Sequence, residues 1–242
     1  MKVLVLNCSP KGDMSDCLKI SRAFLEGLCM TDPTTDIIYE NLVDKKINHC
    51  FGCYSCWAVS PGICCQDDDV NDLLTKITSA DLVIWSTPLY CFGFPSIGKA
   101  LIDRLLPLTC PEQKANEDGT TYHPDRQKKD IQFMLISGCG FPNIKGNYDA
   151  LLLQFEMLFA RKDYPRIICV EAPLLSIEDA KPLTIPYLEM VRKAGSEFAS
   201  NGKISEYTMN ELMSPMLPAD VYRSMTSSKD KLHSIVLIEC CH

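Results

Sequence analysis

The sequence predicts an α/β fold, a doubly wound five-stranded parallel sheet with helices on both faces. Two observations carry this expectation. Short, near-continuous apolar runs alternate along the chain with apolar residues at helical spacing. The first run also breaks into a turn of small residues before a helix, which is how a parallel strand delivers the chain to the ligand-bearing edge of such a sheet.

The elements follow in order. Val3 to Leu6 is the first strand; it breaks at Ser9-Pro10-Lys11-Gly12, and a helix follows with Ile20, Ala23, Phe24, Gly27 and Leu28 on one face. Asp36–Tyr39 is the second strand, and a helix with Val70, Leu73, Leu74 and Ile77 leads to the third, Leu82–Trp85. The next helix carries Ile97, Ala100, Leu101 and Leu105; Ile131–Ile136 is the fourth strand. Tyr148, Leu151, Leu152, Phe155 and Phe159 mark a helix before the fifth strand, Ile167–Val170. The last helix of the domain shows Tyr187, Met190, Val191, Ala194 and Phe198, with Pro186 expected in its first turn. Residues 1–200 therefore read as one domain and 201–242 as a helical extension, in which Ser205–Met216 is amphipathic and Pro215 and Pro218 punctuate the end. Two connections are too long to be plain loops: Asn48–Asp69, with five cysteines, and the polar stretch Pro107–Lys129.

Composition narrows the function classes. Apolar residues make up 46% and charged residues 23%, the balance of a soluble globular protein. A net charge of −7 gives no electrostatic basis for binding nucleic acid. No apolar run approaches the ~20 residues of a membrane span. Fourteen cysteines without a recognisable secretion signal predict a cytoplasmic protein with reduced thiols, any cluster of which is a candidate for metal or redox chemistry.

The turn after the first strand has the makings of an anion site. A helix N-terminus presents unpaired amides and a partial positive charge, Ser9 and Ser15 add hydroxyls, and Lys11 adds a cation. The plainer alternative is an ordinary turn capped by Ser15 or Asp16. Neither the G-x-G-x-x-G nor the G-x-x-x-x-G-K-[ST] spacing is present, so dinucleotide and P-loop readings gain no support. The third strand runs out into Pro88-Leu89-Tyr90-Cys91-Phe92-Gly93, and the fourth into Gly138-Cys139-Gly140. These three turns lie side by side if the strand order is 2-1-3-4-5.

The cysteine loop reads Cys50-x2-Cys53-x2-Cys56-x7-Cys64, with Cys65 spare. Short spacers let thiolates converge on a [4Fe–4S] cubane. Zinc suits the run less well, because two knuckles would share a cysteine. Reduced structural or redox thiols are the third reading. His49 reads as a loop histidine and Asp67–Asp69 as the N-cap region of the following helix.

Taken together, the turn Ser9-Pro10-Lys11 with Ser15, the cysteine run ending at Asp69, Pro88-Leu89-Tyr90 followed by Lys99, Asp103 and Arg104, and Gly138-Cys139-Gly140 resemble the NAD(P)H-dependent FMN reductases and multimeric flavodoxin-like proteins, including the iron–sulfur flavoproteins. The resemblance covers about the first 200 residues and implies a flavodoxin-like sheet of order 2-1-3-4-5. It implies FMN, with its phosphate on Ser9, Lys11, Ser15, Asp16 and Cys17, largely through backbone N–H groups. The flavin ring would lie between Pro88, Leu89, Tyr90, Cys91, Phe92 and Gly93 on one side and Gly138, Cys139 and Gly140 on the other. The implied activity is an oxidoreductase taking hydride from NAD(P)H and reducing a quinone, flavin, other small molecule or protein; the alternative is an electron carrier or redox-responsive binding protein. No catalytic acid or base is implied, and a homodimer or higher homo-oligomer is. Cys50, Cys53, Cys56 and Cys64 are the implied cluster ligands. The chain departs from the family pattern at Cys8, where Gly is usual, at Lys11 for Arg, and at Ser15 for Asn. Asp13 and Asp16 place negative charge near the expected phosphate, which is unfavourable unless they turn away.

Overall fold

The computed structural model describes residues 1–227, apart from 118 and 160–162; the part of the expected extension beyond 227 lies outside the described residues. Strands β1 (Lys2–Asn7), β2 (Asp36–Asn41), β3 (Leu82–Pro88), β4 (Gln132–Gly138) and β5 (Arg166–Cys169) form a parallel sheet in the order β2-β1-β3-β4-β5. This is the flavodoxin-like order expected. The helices are α1 (Asp16–Thr31), α2 (Ser55–Ala58), α3 (Val70–Ser79), α4 (Ser96–Asp103), α5 (Asp149–Phe159), α6 (Lys181–Asn201), α7 (Glu206–Leu212) and α8 (Ala219–Ser227).

Alternation along each strand divides the core. Val3, Val5, Ile84, Ile136 and Ile167 face α1 and α6. Leu4, Leu6, Val83, Trp85, Leu135 and Ile168 face the side of α3 and α5. A sheet covered on both faces explains why its strands read as continuous apolar runs. On the first face α1 and α6 touch through backbone: a Cβ at Gly27 would lie 1.8 Å from Arg192 O, and one at Gly195 would lie 1.9 Å from Phe24 O.

Two local expectations need correction. Pro186 lies inside α6, not in its first turn, because the helix begins at Lys181 with Pro182 in the opening position. The helix expected over Ser205–Met216 stops at Leu212, with Met213 as its C-cap and Pro215 two residues beyond. Its start was legible: the Ser205 hydroxyl caps it, accepting from Thr208 N at 3.2 Å. The described part of the extension packs on the domain. Leu212 is buried with the α1–α6 core, and Tyr222 of α8 packs on Leu174 and Ala180. Glu171, just past β5, holds it there by accepting from Met216 N at 2.9 Å and Leu217 N at 3.0 Å.

Candidate functional site

The carboxyl ends of β1, β3 and β4 bring the three expected turns together. After β1 the turn is built on Asn7, whose amide group donates to Gly12 O at 2.8 Å while its oxygen accepts from Ser9 N at 3.2 Å. Ser9 Oγ accepts from Lys11 N, and Gly12 adopts φ +53°, where a glycine is at ease. Ser15 is the α1 N-cap, accepting from Leu18 N at 3.4 Å. The amides of Asp16 and Cys17, one turn too early for an intrahelical acceptor, remain for an external one. The capping and anion-site readings of Ser15 are thus compatible, since its oxygen accepts while its hydroxyl proton is left to donate.

The two carboxylates of this turn are neutralised elsewhere. Asp13 pairs with Arg22 at 2.6 Å. Asp16 accepts from Lys19 Nζ at 3.0 Å and from Ser176 Oγ at 2.6 Å, tying α1 to the segment after β5. Lys11 is exposed. The departure at Cys8 is accommodated by Gly98 of α4: a Cβ there would stand 3.1 Å from Cys8 Sγ, so the helix passes close over the thiol.

The other two loops are fastened to each other. Pro88 is in register with Gly138, and Leu89 N donates to Gly138 O at 3.0 Å. Tyr90 and Gly93 exchange backbone bonds at 3.0 and 2.9 Å across a tight turn with Cys91 at φ +47° and Phe92 at φ +65°. Two consecutive left-handed non-glycine residues are costly and cluster at functional sites. Phe92 stacks nearly parallel to Phe141, with centroids 6.3 Å apart, and Tyr90, Phe92 and Phe141 are all exposed. Phe141 is a wall residue that motif reading missed; its place directly after Gly140 was the available signal.

The glycines divide by role. Gly93 and Gly140 would meet nothing nearer than 4.0 and 3.9 Å, leaving their backbone open to a ligand. At Gly138 a Cβ would lie 2.7 Å from Ala172 Cβ and 3.2 Å from Cys17 Sγ, so that glycine serves packing. Cys139 is buried, and its amide donates to Cys169 O at 3.1 Å. Burial, then the Asp16 charge, pushes the Cys17 thiol up to about 12, and burial likewise raises Cys8, Cys139 and Cys169. These four thiols are neutral packing groups.

The cysteine loop forms a separate site. Cys50, Cys53, Cys56, Cys64 and Cys65 line one cavity of about 20 Å³ with Arg104. That is room for about one water. Among the described residues no group of three or more His, Cys, Asp or Glu side chains is placed to hold a metal ion. The loop base is locked by a buried pair: Arg104 donates to both oxygens of Asp68, at 2.9 and 3.0 Å, and to Asn48 O at 2.9 Å. Burial alone would raise the Asp68 carboxyl; bonds from Arg104, Asn48 N and Val70 N outweigh it and hold it below the usual carboxylate range. The aspartate run is therefore less a helix cap than a clasp. Asp69 occupies the N-cap position without a side-chain cap bond and accepts from Lys46 N at 2.7 Å instead. The His49 carbonyl accepts from Gln66 Nε2 at 2.9 Å, a loop role. Trp57 docks the loop on its long neighbour: Nε1 donates to Leu106 O at 3.1 Å, and the ring packs 4.7 Å from that of His123.

A family model described as flavodoxin-like fold matches residues 1–159. The chain belongs to this family. An iron–sulfur flavoprotein of Methanocaldococcus jannaschii is 34% identical over 119 residues, 49% of this chain and 59% of that protein. An FMN-dependent NADH:quinone oxidoreductase of Bradyrhizobium diazoefficiens is 28% identical over 114 residues, 44% of this chain and 54% of that protein. The matches thus span little more than half of these relatives. Among solved structures, an FMN-dependent NADH-azoreductase of Bacillus anthracis in complex with FMN superposes with a TM-score of 0.58 at 20% identity, covering 82% of this chain and 99% of that one. That likeness is one of fold. Among the described residues no helix is long and apolar enough to cross a membrane.

Proposed function

We propose that this flavodoxin-like chain binds FMN and transfers reducing equivalents from NAD(P)H to a quinone, azo compound or similar acceptor. The observation that carries this is the first turn of α1: the open amides of Asp16 and Cys17 stand beside the exposed Lys11, next to the joined Pro88–Gly93 and Gly138–Gly140 loops. A phosphate there is held by those amides, by the Ser9 and Ser15 hydroxyls and by Lys11, with the nearest carboxylates already paired. A planar ring beside it meets the open backbone of Gly93 and Gly140 and the apolar faces of Tyr90 and Phe92. Bound FMN supplies the hydride and electron chemistry. The chain's part is grip and orientation; its neighbouring thiols, Cys17 and Cys139, are held neutral by burial.

The test compares FMN with riboflavin, which lacks the phosphate, and then follows flavin absorbance on mixing with NADH or NADPH. Tighter binding of FMN and rapid bleaching support the enzyme. Equal affinity for the two flavins overturns the phosphate site, and slow bleaching favours the electron-carrier alternative.

The thiol cavity supports a second reading, an iron–sulfur cluster on Cys50, Cys53, Cys56 and Cys64. The donor set fits, four thiols and a buried guanidinium around one cavity, as does the name of the Methanocaldococcus relative. Three of the lining thiols, Cys50, Cys53 and Cys65, are exposed, so the recess opens to solvent. Iron and acid-labile sulfide in anaerobically prepared protein, lost in Cys64→Ser and kept in Cys65→Ser, support the cluster. Stoichiometric zinc, or no metal, favours the other two readings.

A homodimer in a cytoplasmic, reducing setting belongs to the same proposal. Leu153 and Met157 of α5 and the Phe92–Phe141 pair leave apolar surface for a second copy to cover. A monomer with full flavin occupancy in light scattering rejects it.

A further inference from the structure

The five thiols of the cysteine loop are not equivalent. Cys56 is buried and Cys64 is half-buried. Cys64 is also pinned, since Asn71 of α3 accepts from its amide at 2.8 Å and donates to its carbonyl at 2.9 Å. Cys50 Sγ lies 3.5 Å from Gly52 N. Cys53 and Cys65 are both exposed, and their sulfurs are in contact at 3.7 Å. The chain is bent to bring them there. Gly52 at φ +63° and Tyr54 at φ +53° flank Cys53 with left-handed backbone, and Tyr54 pays the cost a non-glycine residue meets in that region. The strained bend points Cys53 at Cys65, the cysteine that falls outside the C-x2-C-x2-C-x7-C spacing.

We propose that Cys53 and Cys65 are a thiol–disulfide switch, an oxidation site of this chain that takes a low-molecular-weight disulfide as its oxidant. The sulfurs are already in contact on two exposed residues, and bond formation closes 3.7 Å to about 2.05 Å. One thiolate attacks the small disulfide, forming a mixed disulfide and releasing one small thiol. The second cysteine, having lost its proton to solvent, attacks the protein sulfur of that mixed disulfide and displaces the other small thiolate, which takes up a proton. The pair thus loses two electrons and two protons, and one small disulfide becomes two small thiols. Cys53 also belongs to the expected ligand quartet, so the switch and a metal centre on that quartet exclude each other. The inference stands independently of the flavin site, because no step of it uses the α1 turn or a bound flavin.

The test uses the full chain, reduced without oxygen, treated with a chelator and then exposed to oxidised glutathione. Free thiols are alkylated, and peptides are mapped without reduction. The expected result is loss of one thiol pair per chain, a Cys53–Cys65-linked peptide, and its disappearance on adding dithiothreitol. Cys64→Ser forms the same link, whereas Cys65→Ser loses no thiol pair and leaves Cys53 as a mixed disulfide with glutathione. An unchanged thiol count, a dominant link between other cysteines, or pair loss persisting in Cys65→Ser overturns the proposal. Cys65 is exposed, so its serine variant keeps the fold; matching circular dichroism and melting temperature check this.

Discussion

Arg104, at the end of α4, grips both carboxylate oxygens of Asp68, at 2.9 and 3.0 Å, with both side chains buried. This pair closes the base of the cysteine loop: Asp68 also accepts from Asn48 N at 3.0 Å, and Arg104 donates to Asn48 O. Removing one partner leaves an uncompensated buried charge. Arg104→Ala is expected to destabilise the protein by about 3–5 kcal/mol in urea unfolding. Because the Asp68 carboxyl is held low, its contribution is present above the unfolded value of about 3.9 and is lost as pH falls through the lower folded value. The stability difference between the parent and Asp68→Asn in urea unfolding should therefore stay constant from neutral pH down to about 4 and shrink only below it.

Lys11 is the exposed cation of the α1 turn. Lys11→Ala should weaken FMN about tenfold while leaving riboflavin nearly unchanged, as expected for one charge-assisted contact to phosphate. Fluorescence titration with the two flavins measures this. An equal loss for both flavins would place Lys11 at the ring and not at the phosphate.

Glu171 is fully buried at φ +59°, with one oxygen accepting from Met216 N and Leu217 N and the other without a partner among the described residues. Burial raises its carboxyl against the bonds from Leu217 N and Met216 N, so the folded chain holds this proton to higher pH than the unfolded chain does. Its charge therefore opposes folding at neutral pH, and that penalty disappears as pH falls through the raised folded value. Glu171→Gln, which keeps an accepting oxygen, should melt at or above the parent temperature at pH 7. Glu171→Ala abandons two buried amides and should cost about 1–3 kcal/mol per unpaired group. Limited proteolysis should then cut the segment between α7 and α8 sooner than in the parent.

Gly27 and Gly195 are the contact points of α1 and α6. Alanine at either position places a carbon inside the facing backbone, so the helices must move apart. A loss of about 1–3 kcal/mol or more is expected in urea unfolding. Gly202→Ala, also a helix-associated glycine, meets no neighbour within 4 Å but sits at φ +69°, so its loss should come from backbone strain alone.

Sequence by itself determined the sheet and its coverage, because a doubly covered parallel strand is apolar on both faces and cannot be mistaken for a half-exposed one. It placed the Ser9–Cys17 turn at a helix N-terminus with Ser15 as one of two candidate caps, and the start of a further helix at Ser205, since those depend on neighbours within a few residues. Tertiary structure alone decided what each polar group faces. That Asp16 accepts from Ser176, that Asp68 belongs to Arg104 36 residues away, and that Cys65 instead of Cys64 meets Cys53 are results of tertiary packing. The same holds for Gly138, whose missing side chain makes room for Ala172 and not for a ligand. Local pattern constrains backbone conformation, which involves near neighbours; partnerships such as Asp68–Arg104 and Asp16–Ser176 are set by which segments the fold brings within 3 to 4 Å.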